Sequence, residues 1–159
     1  MTTAPLRLHQ GIVRPEWIDF NGHMNVAYYM LAFDAATEAF FLDLGIGEGY
    51  MERTGFSTFT LEGHITYDRE VKQGDELLFA TRLLDYDEKR LQYFHEMYHA
   101  EHGYLASTSE LITAHIDMSV RRMAPFQAET MERLAALYED HKDLARPAQV
   151  GRTIGIRRK

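Results

Sequence analysis

Asp19-Phe20-Asn21-Gly22-His23-Met24-Asn25 runs directly into VAYYMLAFDAATEAFFLDLG, residues 26–45, and the change of pattern between the two decides the fold. The first run is rich in turn and cap residues. In the second, Val26, Tyr29, Met30, Phe33, Thr37, Phe40, Phe41 and Leu44 recur at helical spacing. Gly45 and Gly47 supply the stop that helix C-termini favour. The helix carries only Asp34, Glu38 and Asp43 as charges, so it is expected to be largely wrapped by the rest of the protein.

Outward from this helix the pattern is one of strands. His9 to Arg14 is a short extended run stopped by Pro15. After Gly55 the period becomes two. Phe59, Leu61, Ile65 and Tyr67 share one face, and Thr58, Thr60, Glu62, His64 and Thr66 the other. Gly63 interrupts the apolar face and predicts a bulge or a close backbone approach. Gln73-Gly74-Asp75 is a turn, and strands are predicted at about Glu76–Tyr86, Leu91–Glu101 and Tyr104–Met118. Asp85 to Arg90 and His102-Gly103 are the turns between them. Short turns between successive strands imply antiparallel neighbours. Pro125 is expected to open a second amphipathic helix with Met131, Leu134, Leu137 and Tyr138 inward. One long apolar helix against one curled antiparallel sheet, followed by a C-terminal helix, is an α+β layout. Residues 1–146 are read as a single domain and residues 147–159 as a basic tail.

The composition excludes several classes. A chain of 159 residues with 45% hydrophobic and 26% charged residues is of single-domain, globular type. There is no Cys, which rules out disulfides, Cys-ligated zinc, iron–sulfur clusters and a thiol nucleophile. A net charge of −7 disfavours nucleic acid as a partner. No apolar run approaches the ~20 residues of a membrane-spanning helix, and Met1 to Gln10 lacks the apolar core of a secretory signal. A cytoplasmic location is the expectation. Arg121-Arg122 and the Arg152, Arg157, Arg158 and Lys159 group are the local basic clusters. The tail cluster is read as solvated.

His95-Glu96-Met97-Tyr98-His99 matches the H-E-x-x-H zinc-protease pattern. That chemistry needs both imidazoles on one turn of a helix. The segment is aromatic-rich, bounded by turns and flanked by strands. On a strand, residues four apart lie roughly 13 Å apart, too far to hold one ion. Gly103 also falls one residue late for the longer zinc motif. The motif is set aside, and no metal or other cofactor is expected.

Asp19 is the residue of chemical interest. It precedes a helix whose first amide N–H groups are free and whose dipole end is positive, a place where an oxyanion is stabilised. Gly22 permits close approach of backbone or ligand. A carboxylate facing an oxyanion site is a layout for acyl transfer. The alternative is a turn with a capping side chain.

Asp-x-x-Gly-His-Met-Asn before a long aromatic helix resembles the hotdog-fold acyl-CoA thioesterases, in particular the 4-hydroxybenzoyl-CoA thioesterase-like group. The likeness covers about residues 8 to 120. Asp19 matches the family's catalytic Asp. The run from Thr60 to Val71 looks like its second-strand pattern, in which an acidic residue precedes Ile-x-Tyr. Within the group the chain is similar to betainyl-CoA thioesterases of carnitine breakdown. The hydratase branch of the fold uses Asp-x-Asn-Pro-x-His. Here Asp19 to His23 is one position shorter, and Gly22 stands where that motif has Pro.

The resemblance implies hydrolysis of a small acyl-CoA thioester, with coenzyme A as part of the substrate. It also implies a homodimer at least, extending to a tetramer in some arrangements, with active sites between protomers. Asp19 is then nucleophile or general base, and the amides near Asn25 and Val26 form the oxyanion site. Glu62 and His64 share a strand face. They either orient water or Asp19 across the dimer seam or belong to a polar outer face. His23, Tyr28 and Tyr29 are candidates for substrate contact. With Trp17 and Phe20, the two tyrosines offer rings that pack or cage a trimethylammonium group. Arg121 and Arg122, then Arg69 or Lys72, are candidates for the coenzyme A phosphates. His115 with Asp117 is read as structural. The competing function is a non-catalytic acyl-CoA-binding hotdog module.

Overall fold

The computed structural model describes residues 4–156 and 158, so Arg157 and Lys159 of the basic cluster lie outside the described residues, as do Met1 to Thr3 of the N-terminal run. The elements are β1 (Leu6–Ile12), a single 3₁₀ turn (Pro15–Trp17), α1 (Val26–Leu44), α2 (Tyr50–Thr54), β2 (Phe56–Tyr67), β3 (Glu76–Tyr86), β4 (Arg90–His99), β5 (Leu105–Asp117), β6 (Arg122–Met123) and α3 (Ala128–His141). One antiparallel sheet in the order β1-β3-β4-β5-β2, with β6 added to β5, curls around α1. This is the hotdog architecture that the Asp19 motif and its helix imply.

α1 begins and ends for identifiable reasons. The Asn25 side chain accepts a hydrogen bond from Ala27 N at 3.0 Å, the N-cap interaction. Gly45 takes φ 80°, and the Ile46 N–H returns to Phe41 O at 2.8 Å, which occupies the last free carbonyls. Tyr29, Ala32, Phe33, Ala36, Thr37, Phe40, Phe41 and Leu44 form the buried face. Val26 and Met30, assigned to that face from their spacing, are 60% and 41% exposed. They sit on the flank of α1 that the half-open sheet leaves uncovered.

Two apolar clusters share the helix. Toward its N-terminus, Tyr29, Phe33, Phe79, Met97, Val13 and Met24 pack together. Toward its C-terminus, Phe40, Phe41, Leu44, Tyr93 and Leu111 pack with Phe126 and Leu134. α3 closes this second end, and Arg133 of α3 donates to Asp43 O at the C-terminus of α1 (2.8 Å).

Four sequence expectations need correction. β2 pairs with β5 rather than with its successor β3, because β1 already occupies the other edge of β3. β1 lies over Leu6–Ile12, since Val13 exchanges hydrogen bonds with Asp75 and Gly74 instead of continuing the ladder. α3 opens at Ala128, not Pro125, because the Phe126 N–H is committed to Glu88 O. The even apolar face of β2 is broken by a register shift between Thr60 and Glu62. Gly63 marks that region as expected, and a Cβ there would meet Leu111 Cδ2 at 3.1 Å.

Candidate active site

Asp19 stands at the tip of a small hairpin that delivers the chain to α1. Ile18 and Met24 form a bridge, the Asp19 N–H donates to His23 O (3.2 Å), and the Gly22 N–H donates to Asp19 O (3.0 Å). Gly22 closes this turn at φ 80°, a backbone angle that side chains resist. The half-buried Asp19 carboxylate accepts from Asn21 N at 2.8 Å and from Asn25 Nδ2 at 3.4 Å. Asn25 therefore works with both ends of its amide, holding Asp19 with one and capping α1 with the other. Tyr28 N donates to Asn25 O and Ala27 N to Asn25 Oδ1, so among the described residues the Val26 N–H is left without an acceptor. A carboxylate and an unused helix N-terminal donor thus adjoin one side chain.

His23 is brought to the same place, with its Nε2 3.5 Å from Glu70 Oε2. Tyr67, from the end of β2, donates its OH to Val26 O at 3.4 Å. Neither Tyr67 nor Glu70 is a site candidate on the sequence alone, although both stand in the Thr60–Val71 run. Their only signal was that run's likeness to the family pattern. Tyr28 stacks on Trp17, with centroids 5.7 Å apart and planes at 12°, and Arg14 covers that indole at 5.6 Å. Tyr29 is 4% exposed and meets Tyr67 edge-on, so within this chain it is a core residue with no surface for a ligand. Burial pushes its hydroxyl above the usual tyrosine range. Phe20 is 97% exposed at the hairpin tip, and among the described residues no ring covers it.

Other proposed residues lie elsewhere in the chain. Glu62 and His64 line a cavity of about 620 Å³ on the outer side of the sheet. Gln92, Glu110 and residues Gly151 to Ile154 of the tail complete it. His64 is three residues from Tyr67, roughly 10 Å along the strand, so it does not meet Asp19 within one chain. The tail touches the cavity through one bond, Gly151 N donating to Glu110 Oε2 at 2.7 Å, while Arg152 and Arg158 are exposed, as expected of a solvated cluster. Arg121 and Arg122 lie at the far end of β2, with Arg121 over the Phe59 ring (5.8 Å, φ 54°). They do not reach the start of α1 in the same chain.

His115 is structural, as expected. It accepts from Tyr50 OH, donates to Ala124 O, stacks on Phe56 and is held below its ordinary pKa by burial. Asp117 is bonded to Ser119, and those bonds hold its carboxyl below the usual range.

The H-E-x-x-H segment is strand β4, as the refusal of the zinc motif requires. His95 is fully buried between Thr37 Oγ1 (2.9 Å) and Thr81 Oγ1 (2.8 Å), and burial lowers its pKa to about 3. His99 instead faces Asp75 at 3.4 Å. Among the described residues no group of His and carboxylate side chains could hold a metal ion. Nor is any helix there long and apolar enough to cross a membrane.

Residues 13–134 match the Thioesterase-like superfamily. The chain is 38% identical to a betainyl-CoA thioesterase of Pseudomonas aeruginosa over 151 residues, 95% of each chain. It is 34% identical to the L-carnitine dehydrogenase/betainyl-CoA thioesterase of Rhizobium meliloti over 98% of its own length but only 31% of that protein's. Among solved structures, the hypothetical protein SAV2348 from Staphylococcus aureus, in complex with CoA, superposes with a TM-score of 0.89. That protein is 32% identical, with 97% of this chain and 98% of the other covered.

Proposed function

Because the chain belongs to the thioesterase-like superfamily, we propose that it hydrolyses a small acyl-CoA thioester, betainyl-CoA first among them, to the free acid and coenzyme A. The observation that carries this reading is the double engagement of Asn25. It ties the Asp19 carboxylate to the helix start where the Val26 N–H is unused.

The thioester carbonyl oxygen takes its hydrogen bond from that N–H. As the carbonyl carbon becomes tetrahedral the oxygen gains charge, and the helix end stabilises it. Asp19 acts from the other side, by attack on the carbon to give a mixed anhydride or by removal of a proton from attacking water. In the first route, water then cleaves the anhydride and restores the carboxylate. In both, the C–S bond breaks and the thiolate leaves without needing a strong general acid.

A cationic acyl group suits the surroundings. Trp17 and Tyr28 form a stacked aromatic wall beside the Asp19 hairpin. Arg14 already lies over the indole, so a trimethylammonium group would take the side of the Tyr28 ring turned away from Trp17, a contact of about 0.5–2 kcal/mol.

The working form is a homodimer or a higher assembly. β2 is a twelve-residue edge strand with Phe59 37%, Leu61 53% and Tyr67 50% exposed. A long apolar edge of this kind is a pairing surface. Glu62 and His64 would then approach the active site of a second copy, the role the family pattern suggests for them.

The test is a panel of acyl-CoA substrates including betainyl-CoA, read by release of free thiol, with wild type beside Asp19→Asn. The expected result is hydrolysis that prefers the cationic acyl group over a neutral isostere and collapses in the variant. Undiminished turnover by Asp19→Asn across the panel would overturn the reading.

A further inference from the structure

A second cavity, of about 510 Å³, opens beside the candidate active site and is lined by Arg69, Glu70, Lys72, Asp75, His99, His102 and Tyr104. It abuts the site through two contacts. Glu70 reaches His23, and Met24 N donates to Val71 O at 2.9 Å. Its acids and bases are unequally committed. Glu70 is directed to His23, and Asp75 faces His99 while accepting from Lys72 N at 2.7 Å. Neither the Arg69 guanidinium nor the Lys72 ammonium has a carboxylate within ion-pair distance among the described residues. In a chain of net charge −7, two free cations at one exposed cavity are set apart from their surroundings.

The cavity also has a flat aromatic wall. His99 and His102 stack at 4.5 Å, and His102 lies nearly parallel to Tyr104 at 14°. Arg69 lies over the Tyr104 ring at 4.0 Å, which holds its guanidinium at the cavity wall. Tyr104 is fixed by its OH donating to Glu70 O (2.9 Å), and His99 by accepting from the His102 N–H (3.2 Å). Cations beside stacked rings recognise a phosphorylated nucleoside: the cations take the phosphates and a ring takes the base.

We propose that this cavity binds the phosphorylated adenosine end of the coenzyme A substrate, with Arg69 and Lys72 on phosphate and the exposed His102 ring on the base. The inference rests on the acyl-CoA reading above. The competing location is Arg121 and Arg122, which reach the helix start only from a second copy paired antiparallel along β2.

The probe is 3′-phosphoadenosine 5′-phosphate, whose binding is measured by calorimetry on the full chain and needs no catalysis. Arg69→Ala and Lys72→Ala are each expected to weaken binding about tenfold, the loss of roughly 1.4 kcal/mol for one charged phosphate contact. Arg69→Lys is expected to keep most of it, and binding should weaken as salt rises. In steady state, selectivity for acyl-CoA over the same acyl-pantetheine should fall about tenfold, through KM rather than kcat. All four positions are exposed, so thermal melting of each variant confirms folding. The proposal is overturned by absence of binding, by unchanged affinity in both alanine variants, or by loss confined to Arg121→Ala and Arg122→Ala. Binding that depends on Arg69 and Lys72 in a protein that cleaves no thioester would support the cavity and refute only the catalytic reading.

Discussion

Asn25 joins two functions that substitution can separate. Asn25→Ala removes both. Losing the cap on Ala27 N costs about 1 kcal/mol, which lowers Tm by roughly 2–4 °C in a domain of this size. Asn25→Asp keeps the cap, since Asp caps as well as Asn and its charge favours the helix start. Stability should therefore stay within about 0.5 kcal/mol of wild type only at acid pH, where one of the two carboxylates is protonated. The contact with Asp19, however, becomes a meeting of two carboxylates at the 3.4 Å now spanned by a hydrogen bond. Two like charges at that distance repel by roughly 1.2 kcal/mol at the permittivity of water and roughly 5 kcal/mol at an effective permittivity of 20. The site is half-buried, so the true value lies between these limits. At 1.36 kcal/mol per pH unit, the repulsion corresponds to about one to three and a half units. Repulsion favours protonation of one carboxylate, and the reaction needs Asp19 charged. The acid limb of the kcat/KM profile should therefore move upward by that amount, and the melting temperature should fall near neutral pH and recover as pH drops through the raised pKa. A profile for Asn25→Asp that overlays wild type would refute both the role of Asp19 and the purpose assigned to its contact.

Asp19→Asn keeps the acceptor for Asn21 N and should fold normally, but with turnover lowered about 10²–10⁴-fold in the thiol-release assay. His95 is neutral when folded, with a pKa of about 3, and free to charge when unfolded near 6.5. A lowered folded value means the stability is present above pH 6.5 and is lost as pH falls toward 3. The loss is on the order of 5 kcal/mol and should appear as a pH-dependent denaturation midpoint that His95→Gln flattens. Leu61→Asp places a charge on the exposed edge of β2 and should shift sedimentation toward the monomer, with activity falling in parallel. A zinc chelator should leave activity unchanged, because His95 and His99 have separate partners on a strand.

The local signals carried most of the fold. The apolar period from Tyr29 to Leu44, the Gly45 stop and the alternation in β3 and β4 each depend on near neighbours, and each element forms where that period lies. Strand partnership depends on distant residues, so nothing between residues 67 and 76 announced that β2 would cross to β5. α2 spans only Tyr50–Thr54, too short for a period to appear. β6 follows a left-handed Arg121, and no residue type there advertises that angle. The Asp19 segment could be read because its turn and cap residues are contiguous. The cavity at Arg69, Lys72, His102 and Tyr104 could not, since it joins the β2–β3 connection to the β4–β5 turn, more than twenty-five residues apart.

The dispersal of the remaining candidates follows from the same sheet. Within one chain Arg121 and Tyr67 mark opposite ends of β2, because Phe59 and Tyr67 are eight residues apart, roughly 26 Å of strand. A catalytic arrangement needing both ends cannot close in a single copy. If two β2 edges pair antiparallel about Gly63, Phe59 of one copy comes opposite Tyr67 of the other. The far end of each strand then meets the helix start of its neighbour. The exposed flank of α1 at Val26 and Met30 points to the same conclusion, since apolar residues beside an unpaired edge are ordinary only where a second surface covers them.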